Sequence, residues 1–471
     1  MSTRIQFRRG TTAQNAAFVG ALAEVTYDTQ TGALHTHDGA LAGGKRTLMD
    51  SELGQPNGVA VLDGSGQINS AQLNAYVTKA APVMSAPPTI TTAIVGQDGI
   101  ISAGWLSGID LTGASDTSVK LQVALDAIAT RGGGTLEFPA GSKLRVNTQL
   151  NYTADAPLSI RGQGGRRSCE LRQYAGTLFN LSNAAVGAAT GSNMALDIDG
   201  LRIICEASNA TAFKIQHPEN VRLTRIRAAA GGGYWGNFLD GTNIRTSFFE
   251  DWYVRNDHGL GTAVDIQGTG FSLGSTAGST DNKYIGLLLQ GFNASWSSST
   301  SVSPAVEGQH FLGCTWVQCN YGFIWSNTHA TYVPPLLHWV NGHMNCFKQW
   351  GNFSKVAQLD FSHSTFELNS IFGDAMDGFS LANVDGYNIA DNKMFFTNGN
   401  RNVAAVVAAS GTKGGNIHDN YGTLTGGGNA IYMLAGSLNN TAHDNSFYGP
   451  SAAVANGGTA NIVTVNNRII T

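Results

Sequence analysis

Residues 115–141 read SDTSVKLQVALDAIATRGGGTLEFPAG, a helical element that runs straight into a strand. Leu121, Leu125 and Ile128 fall at i, i+4 and i+7, one face of an α-helix. Ser115 or Asp116 is placed to cap it, and Gly132-Gly133-Gly134 ends it. The strand GTLEFPAG follows at once. This is the one segment with sustained helical spacing.

Working outward, a repeat appears. Apolar pairs five residues apart straddle a turn at Leu196/Leu201, Val221/Ile226, Ile244/Phe249, Tyr284/Leu289, Phe311/Trp316, Trp339/Met344, Phe361/Phe366 and Val384/Ile389. Asp391-Asn392, Asp419-Asn420 and Asp444-Asn445 mark later turns. With positions 201, 226, 249, 289, 316, 344, 366, 389, 417 and 442 as anchors, eight of the nine intervals lie between 22 and 28 residues and one is 40. Such a period in short β segments is a solenoid. The expected fold is all-β: a right-handed single-stranded parallel β-helix of about ten coils over residues 113–471. The helix seals its first coil, where open strand edges would invite association. The long interval holds the Gly/Ser-rich residues 268–280, read as an extra loop.

Composition agrees. Of 471 residues 59 are Gly and only 13% are charged, while 42% are hydrophobic. This excludes an all-α fold and a disordered chain. Net charge is −4 with no Lys/Arg block, so no nucleic-acid partner is expected. The apolar run Val403–Ala409 is far too short for a membrane span. Five cysteines without metal-ligand spacing read as small apolar fillers.

Equivalent positions on successive coils stack. The column six before each anchor runs Ala195, Asn220, Asn243, Lys283, His310, His338, Asp360, Asn383, Gly411, Gly436, pointing to solvent. Its centre collects the titratable groups Lys283, His310, His338 and Asp360. The column one after each anchor holds Arg202, Arg227, Glu250, Gln290, Val317, Asn345, Glu367 and Ala390, with Asp251 beside Glu250. Such stacked polar residues also form plain hydrogen-bonded, solvated faces.

Residues 1–50 read as a small β unit with turns at Asp28–Gly32 and Asp38-Gly39. His35 and His37 alternate on a short strand, a polar face rather than a metal pair. Residues 51–112, where APVMSAPPTI (81–90) alone holds three of the chain's 11 prolines, have only short apolar pieces and read as a neck or linker. RIQFRRGTTAQN (4–15) and EVTYDTQTGALHTHDG (24–39) resemble the N-terminal module of phage tail fibres and tailspikes, including the major tropism determinant type. The capping helix feeding GGGTLEFPAG resembles the opening of the pectate-lyase-like β-helices common in tailspikes.

That resemblance implies a virion protein, made in the host bacterial cytoplasm without a signal peptide. It implies attachment to phage tail or baseplate proteins through residues 1–50, and a homotrimer that binds and degrades host-cell surface polysaccharide. No cofactor or metal is expected, and hydrolysis comes first because acidic residues populate the central coils and no calcium-type Asp cluster appears. Hydrolysis needs two carboxylates, and Asp360, Glu367, Glu250 and Asp251 are the candidates. Eliminative cleavage needs a base and a cation on the sugar carboxylate, for which His310 or His338 and Lys283 serve. The order of expectation is hydrolase, then lyase, then a purely adhesive fibre. Seven of eight tryptophans lie between Trp235 and Trp350. Trp316 and Trp339 point inward in this register, whereas Trp235, Trp252 and Trp296, near turns, are expected as outward platforms for sugar rings. Arg161, Arg166, Arg167 and Arg172 read as a solvated charged end or as contacts to an acidic glycan.

Overall fold

A computed structural model describes residues 7–47, 99–165, 168–183, 192–257, 261–267, 279–300, 306–329, 333–369, 377–397, 404–424, 428–450, 452–464 and 466–470. The chain divides into two compact units, Met1–Thr89 and Ile90–Thr471. Most of the expected neck, together with Arg166 and Arg167, lies outside the described residues.

In the first unit Arg8–Gly10 pairs parallel with Val25–Asp28, which pairs antiparallel with Leu34–Thr36 and that in turn with Lys45–Arg46. A short helix, Thr12–Ala17, starts in a capping box between Thr11 and Gln14. Asp28 makes the expected turn by accepting from the Gln30 and Thr31 amides, at 2.8 and 3.2 Å. His37 is buried, with Nε2 3.0 Å from Thr26 Oγ1 and Nδ1 accepting from the Gly20 amide at 3.3 Å. It is a core residue of this unit just past the Leu34–Thr36 strand, so His35 and His37 do not form the polar face expected.

The second unit is a parallel β-helix. Among the described residues its first face is a sheet of 14 parallel strands, running from Ile100–Ser102 to Ile462–Val463. The second and third faces form one 24-stranded sheet, because Thr315–Asn327 and His343–Ser354 each run through both. The expected anchors all fall inside this solenoid, which has strands before and after them. Its start corrects the boundary at residue 112: Ile100–Ser102 already pairs with Gly134–Phe138, so part of the expected neck is β-helix. One three-residue strand gives too little pattern to be seen in sequence.

The helix spans Ser118–Arg131 and buries Leu121, Leu125 and Ile128 on the core. Asp116 Oδ1 accepts from the Ser118 amide at 3.0 Å, and Gly132 ends the helix in the left-handed region at φ +87°. A column of left-handed residues then turns each coil from first to second face. Arg225, Asp251, Asn341, His363, Asp391, Asp419 and Asp444 have φ between 52° and 56°. Asn and Asp tolerate this conformation best, which explains the repeated Asp-Asn turns. The Asn after each turn faces inward: Asn392 donates to Asn420, Asn420 to Asn445 and Asn445 to Asn467, at 3.0, 3.0 and 2.9 Å.

The interior is aromatic. Phe249, Tyr284 and Phe311 stack on successive coils with centroids 4.9 and 4.3 Å apart. Trp316 and Trp339 point inward as expected. Trp235, Trp252 and Trp296 do so too, with 0–1% of their surface exposed, which overturns their assignment as platforms. Rings of that size fill a solenoid core, and two donate inward, Trp252 Nε1 to Leu223 O and Trp235 Nε1 to Gln173 Oε1. All five cysteines are free and buried. Among the described residues no helix is long and apolar enough to cross a membrane.

Candidate functional site

In a parallel ladder each residue sits about 4.8 Å above its partner on the previous coil. On the outward side of the first face one column runs Ser159, Asp197, Arg222, Phe248, Lys283, His310, His338, Asp360, Asn388, Asn416. The titratable centre stands as read from sequence, but its flanks shift. Asn243, Asn383, Gly411 and Gly436 give way to residues five later (Phe248, Asn388, Asn416, Thr441), and Ala195 and Asn220 to residues two later. Both members of each five-apart pair point inward, so either can be taken as the anchor, and choosing the wrong one moves the column by five.

A second column, two residues along the same strands, runs Glu137, Arg161, Asp199, Thr224, Glu250. Glu250 therefore lies on the first face. Glu367 lies on the second, in the row Gln290, Val317, Asn345, Glu367. The structure thus separates Glu250 from Glu367, and Asp360 from Glu367, onto different faces. Glu367 Oε2 accepts from Asn345 Nδ2 at 2.8 Å.

Glu250 and Asp251 line a groove of about 630 Å³, with Glu137, Arg161, Gln163, Asp197, Asp199, Arg222 and Arg225. Arg161 donates to Asp197 at 3.0 Å, and Gln163 to Glu137 at 2.6 Å. Arg225 Nε donates to Asp199 Oδ1 at 2.6 Å, a second Arg225 nitrogen binds Oδ2, and Thr224 Oγ1 donates at 2.7 Å. Burial opposes ionisation of Asp199, but the Arg225 and Thr224 hydrogen bonds outweigh it and hold the carboxyl below its ordinary range. Arg227 lies 3.6 Å from Asp251. Among the described residues no side chain forms an ion pair or hydrogen bond with the Glu250 carboxylate. Asp197, Asp199, Arg222 and Arg225 were missed in sequence because the flanks of the column had slipped.

Two to five coils further along, His310 and His338 meet edge to face at 5.4 Å, and His338 Nε2 lies 3.6 Å from Asp360 Oδ2. Asn388 Nδ2 donates to Asp360 Oδ1 at 3.0 Å. Burial pushes the His310 pKa down, and His338 and Lys283 push it further against the pull of Asp281. Lys283 Nζ sits 5.2 Å from the centre of the Phe248 ring.

Fold and groove together define a parallel β-helix with a charged groove on its first face and a small β unit before it in sequence. Residues 5–41 of that unit match the family model of the Major tropism determinant N-terminal domain. The tail fiber receptor-binding protein of Bordetella phage BPP-1 is 59% identical over 44 residues. That alignment covers 9% of this chain and 12% of the relative. Solved structures similar to this chain include the A-module of the Azotobacter vinelandii mannuronan C-5 epimerase AlgE6 (TM-score 0.47, 14% identity, 79% of this chain and 99% of that one). A tailspike double mutant of E. coli bacteriophage HK620 has TM-score 0.46 and 12% identity, over 79% of each chain. PfbA, a surface adhesin of Streptococcus pneumoniae, has TM-score 0.47 and 10% identity, over 75% of this chain and 93% of that one. Identities this low say nothing about a shared site.

Proposed function

We propose that this chain is a phage tail fibre of the tailspike type, carried on the virion tail through residues 1–50. Its β-helix, as a homotrimer, binds a host-cell surface polysaccharide along the first face and hydrolyses it in the groove. The similarity of the N-terminal unit to a tail-fibre protein supports the first part. The observation that carries the second is the groove itself, which places Glu250 two rungs from Asp199.

Two rungs separate their backbones by roughly 9–10 Å. That spacing stands at the upper end of the roughly 6.5–9.5 Å between the carboxyls of an inverting glycosidase, which leaves room for one water between acid and base. Glu250, the carboxyl two rungs from Asp199 in this groove column, is assigned as the acid that protonates the leaving oxygen. Asp199, kept ionised by Arg225, takes a proton from the water that attacks the anomeric carbon from the other side. Asp251 flanks the acid, and the Lys283–Asp360 column extends the binding surface. This scheme uses no cofactor or metal.

A lyase is the second reading, favoured by His310, whose lowered pKa leaves a neutral imidazole able to take a proton, beside Lys283. Incubation of the purified protein with capsular, exopolysaccharide and O-antigen preparations separates the readings. New reducing ends without an unsaturated, ultraviolet-absorbing product mean hydrolysis, and both together mean elimination. Binding without cleavage leaves an adhesive fibre.

A further inference from the structure

We propose that Arg222, Phe248 and Lys283 form a subsite for a carboxylate-bearing sugar, so that the polysaccharide taken by the first face is anionic. This rests on the polysaccharide reading above and narrows its substrate class.

The three residues occupy consecutive rungs of one outward column. Phe248 is 42% exposed in mid-face, whereas its neighbour Phe249 is wholly buried. Phe249 is part of the aromatic core stack, but nothing in the packing of the coil calls for an aromatic ring at 248. A ring with this much of its surface in water forgoes part of its burial, which a stacked sugar face would restore. Lys283 overhangs the ring without an ion-pair partner among the described residues.

Arg222 is also without an ion-pair partner there, although carboxylates surround it. Asp197, its ladder partner, is held by Arg161, and Asp199 is held by Arg225. Arg222 adds only a through-space attraction at Asp199. Two uncommitted cations thus flank an exposed ring, one rung to either side, roughly 9–10 Å apart.

A carboxylate on a sugar stacked over Phe248, or on its neighbour, accepts a charge-assisted hydrogen bond from one cation or the other. A neutral sugar leaves both unpaired, so the arrangement selects as well as attracts. Glu250 lies two residues along the Phe248 strand, roughly 6–7 Å away, which sets the bound sugar beside the proposed acid.

The test uses the full chain and calorimetric titration with purified bacterial polysaccharides, acidic and neutral. Each acidic one is also presented after carbodiimide–borohydride reduction of its carboxylates to alcohols. The polysaccharide bound tightest is expected to be acidic. Carboxyl reduction, Arg222→Gln and Lys283→Gln are each expected to weaken it about tenfold, and added salt to weaken it further. These side chains are exposed, so thermal unfolding should match the parent protein. Preferred binding of a neutral polysaccharide, or affinity unchanged by carboxyl reduction, overturns this inference and leaves the polysaccharide reading standing. If nothing in the panel is bound, that reading fails and takes this one with it.

Discussion

Arg225 grips Asp199 from the next coil, with Nε donating to Oδ1 at 2.6 Å and a second nitrogen on Oδ2. Arg225 sits in the left-handed corner position, φ +54°, one residue past Thr224, which also donates to Asp199. The result is a carboxylate fixed in its charged form inside the groove, two rungs from Glu250, whose carboxylate is unpaired. The proposed base is the carboxylate held ionised, and the proposed acid is the other of these two carboxyls.

Removing the acid tests the first role. Glu250→Gln should cut turnover by about 10²–10⁴-fold, the usual contribution of a positioned acid. Glu250 is exposed, so stability should stay within about 0.5 kcal/mol and polysaccharide affinity should change little. Paired kinetics, titration and thermal melts check all three.

Loosening the grip tests the second. Arg225 keeps the Asp199 pKa below its ordinary value, so Asp199 remains a base until pH falls through that lowered pKa. In Arg225→Met the pKa rises, and the acid limb of the turnover–pH profile should move to higher pH. The stability contributed by this pairing is present above the unfolded-state carboxyl pKa and is lost as pH falls through the folded one. An acid limb that does not move contradicts Asp199 as the base.

The histidine column separates hydrolysis from elimination. If Glu250 and Asp199 do the chemistry, His310→Gln and Glu367→Gln should each leave the turnover number within about threefold. An elimination through His310 would instead lose about 10²-fold or more in the first variant.

The inward Asn ladder is a stability element. Asn420 Nδ2 donates to Ile389 O at 2.7 Å and to Asn445, while its Oδ1 accepts from Asn392. Asn420→Ala strands several buried partners and should cost about 2–4 kcal/mol in urea unfolding. Activity at temperatures where the fold persists should be unaffected.

Much of this molecule was legible in its sequence. Leu121, Leu125, Ile128 and the Gly132 stop define the cap, and the five-apart pairs define the coil. The Lys283–His310–His338–Asp360 column was correct because anchors 289, 316, 344 and 366 all lie on the second face, in one row. At 249 the anchor lies on the first face, and the five-residue slip there hid Phe248, while a separate two-residue slip at 201 and 226 hid Asp197, Arg222 and with them the groove. Trp235, Trp252 and Trp296 were misjudged because nearness to a Gly/Ser turn says nothing about which side of the strand a ring takes. Long-range carboxylate–arginine pairs such as Asp199–Arg225 need the coil register before they can be seen.

The most direct test is to follow the anomeric protons by NMR while the full chain cleaves its polysaccharide, for the parent protein, Asp199→Asn and Glu250→Gln. The account predicts a first-formed reducing end of inverted configuration in the parent, no unsaturated product, and loss of cleavage in both variants with binding retained. Undiminished cleavage in both variants, or a product with retained configuration, would contradict it.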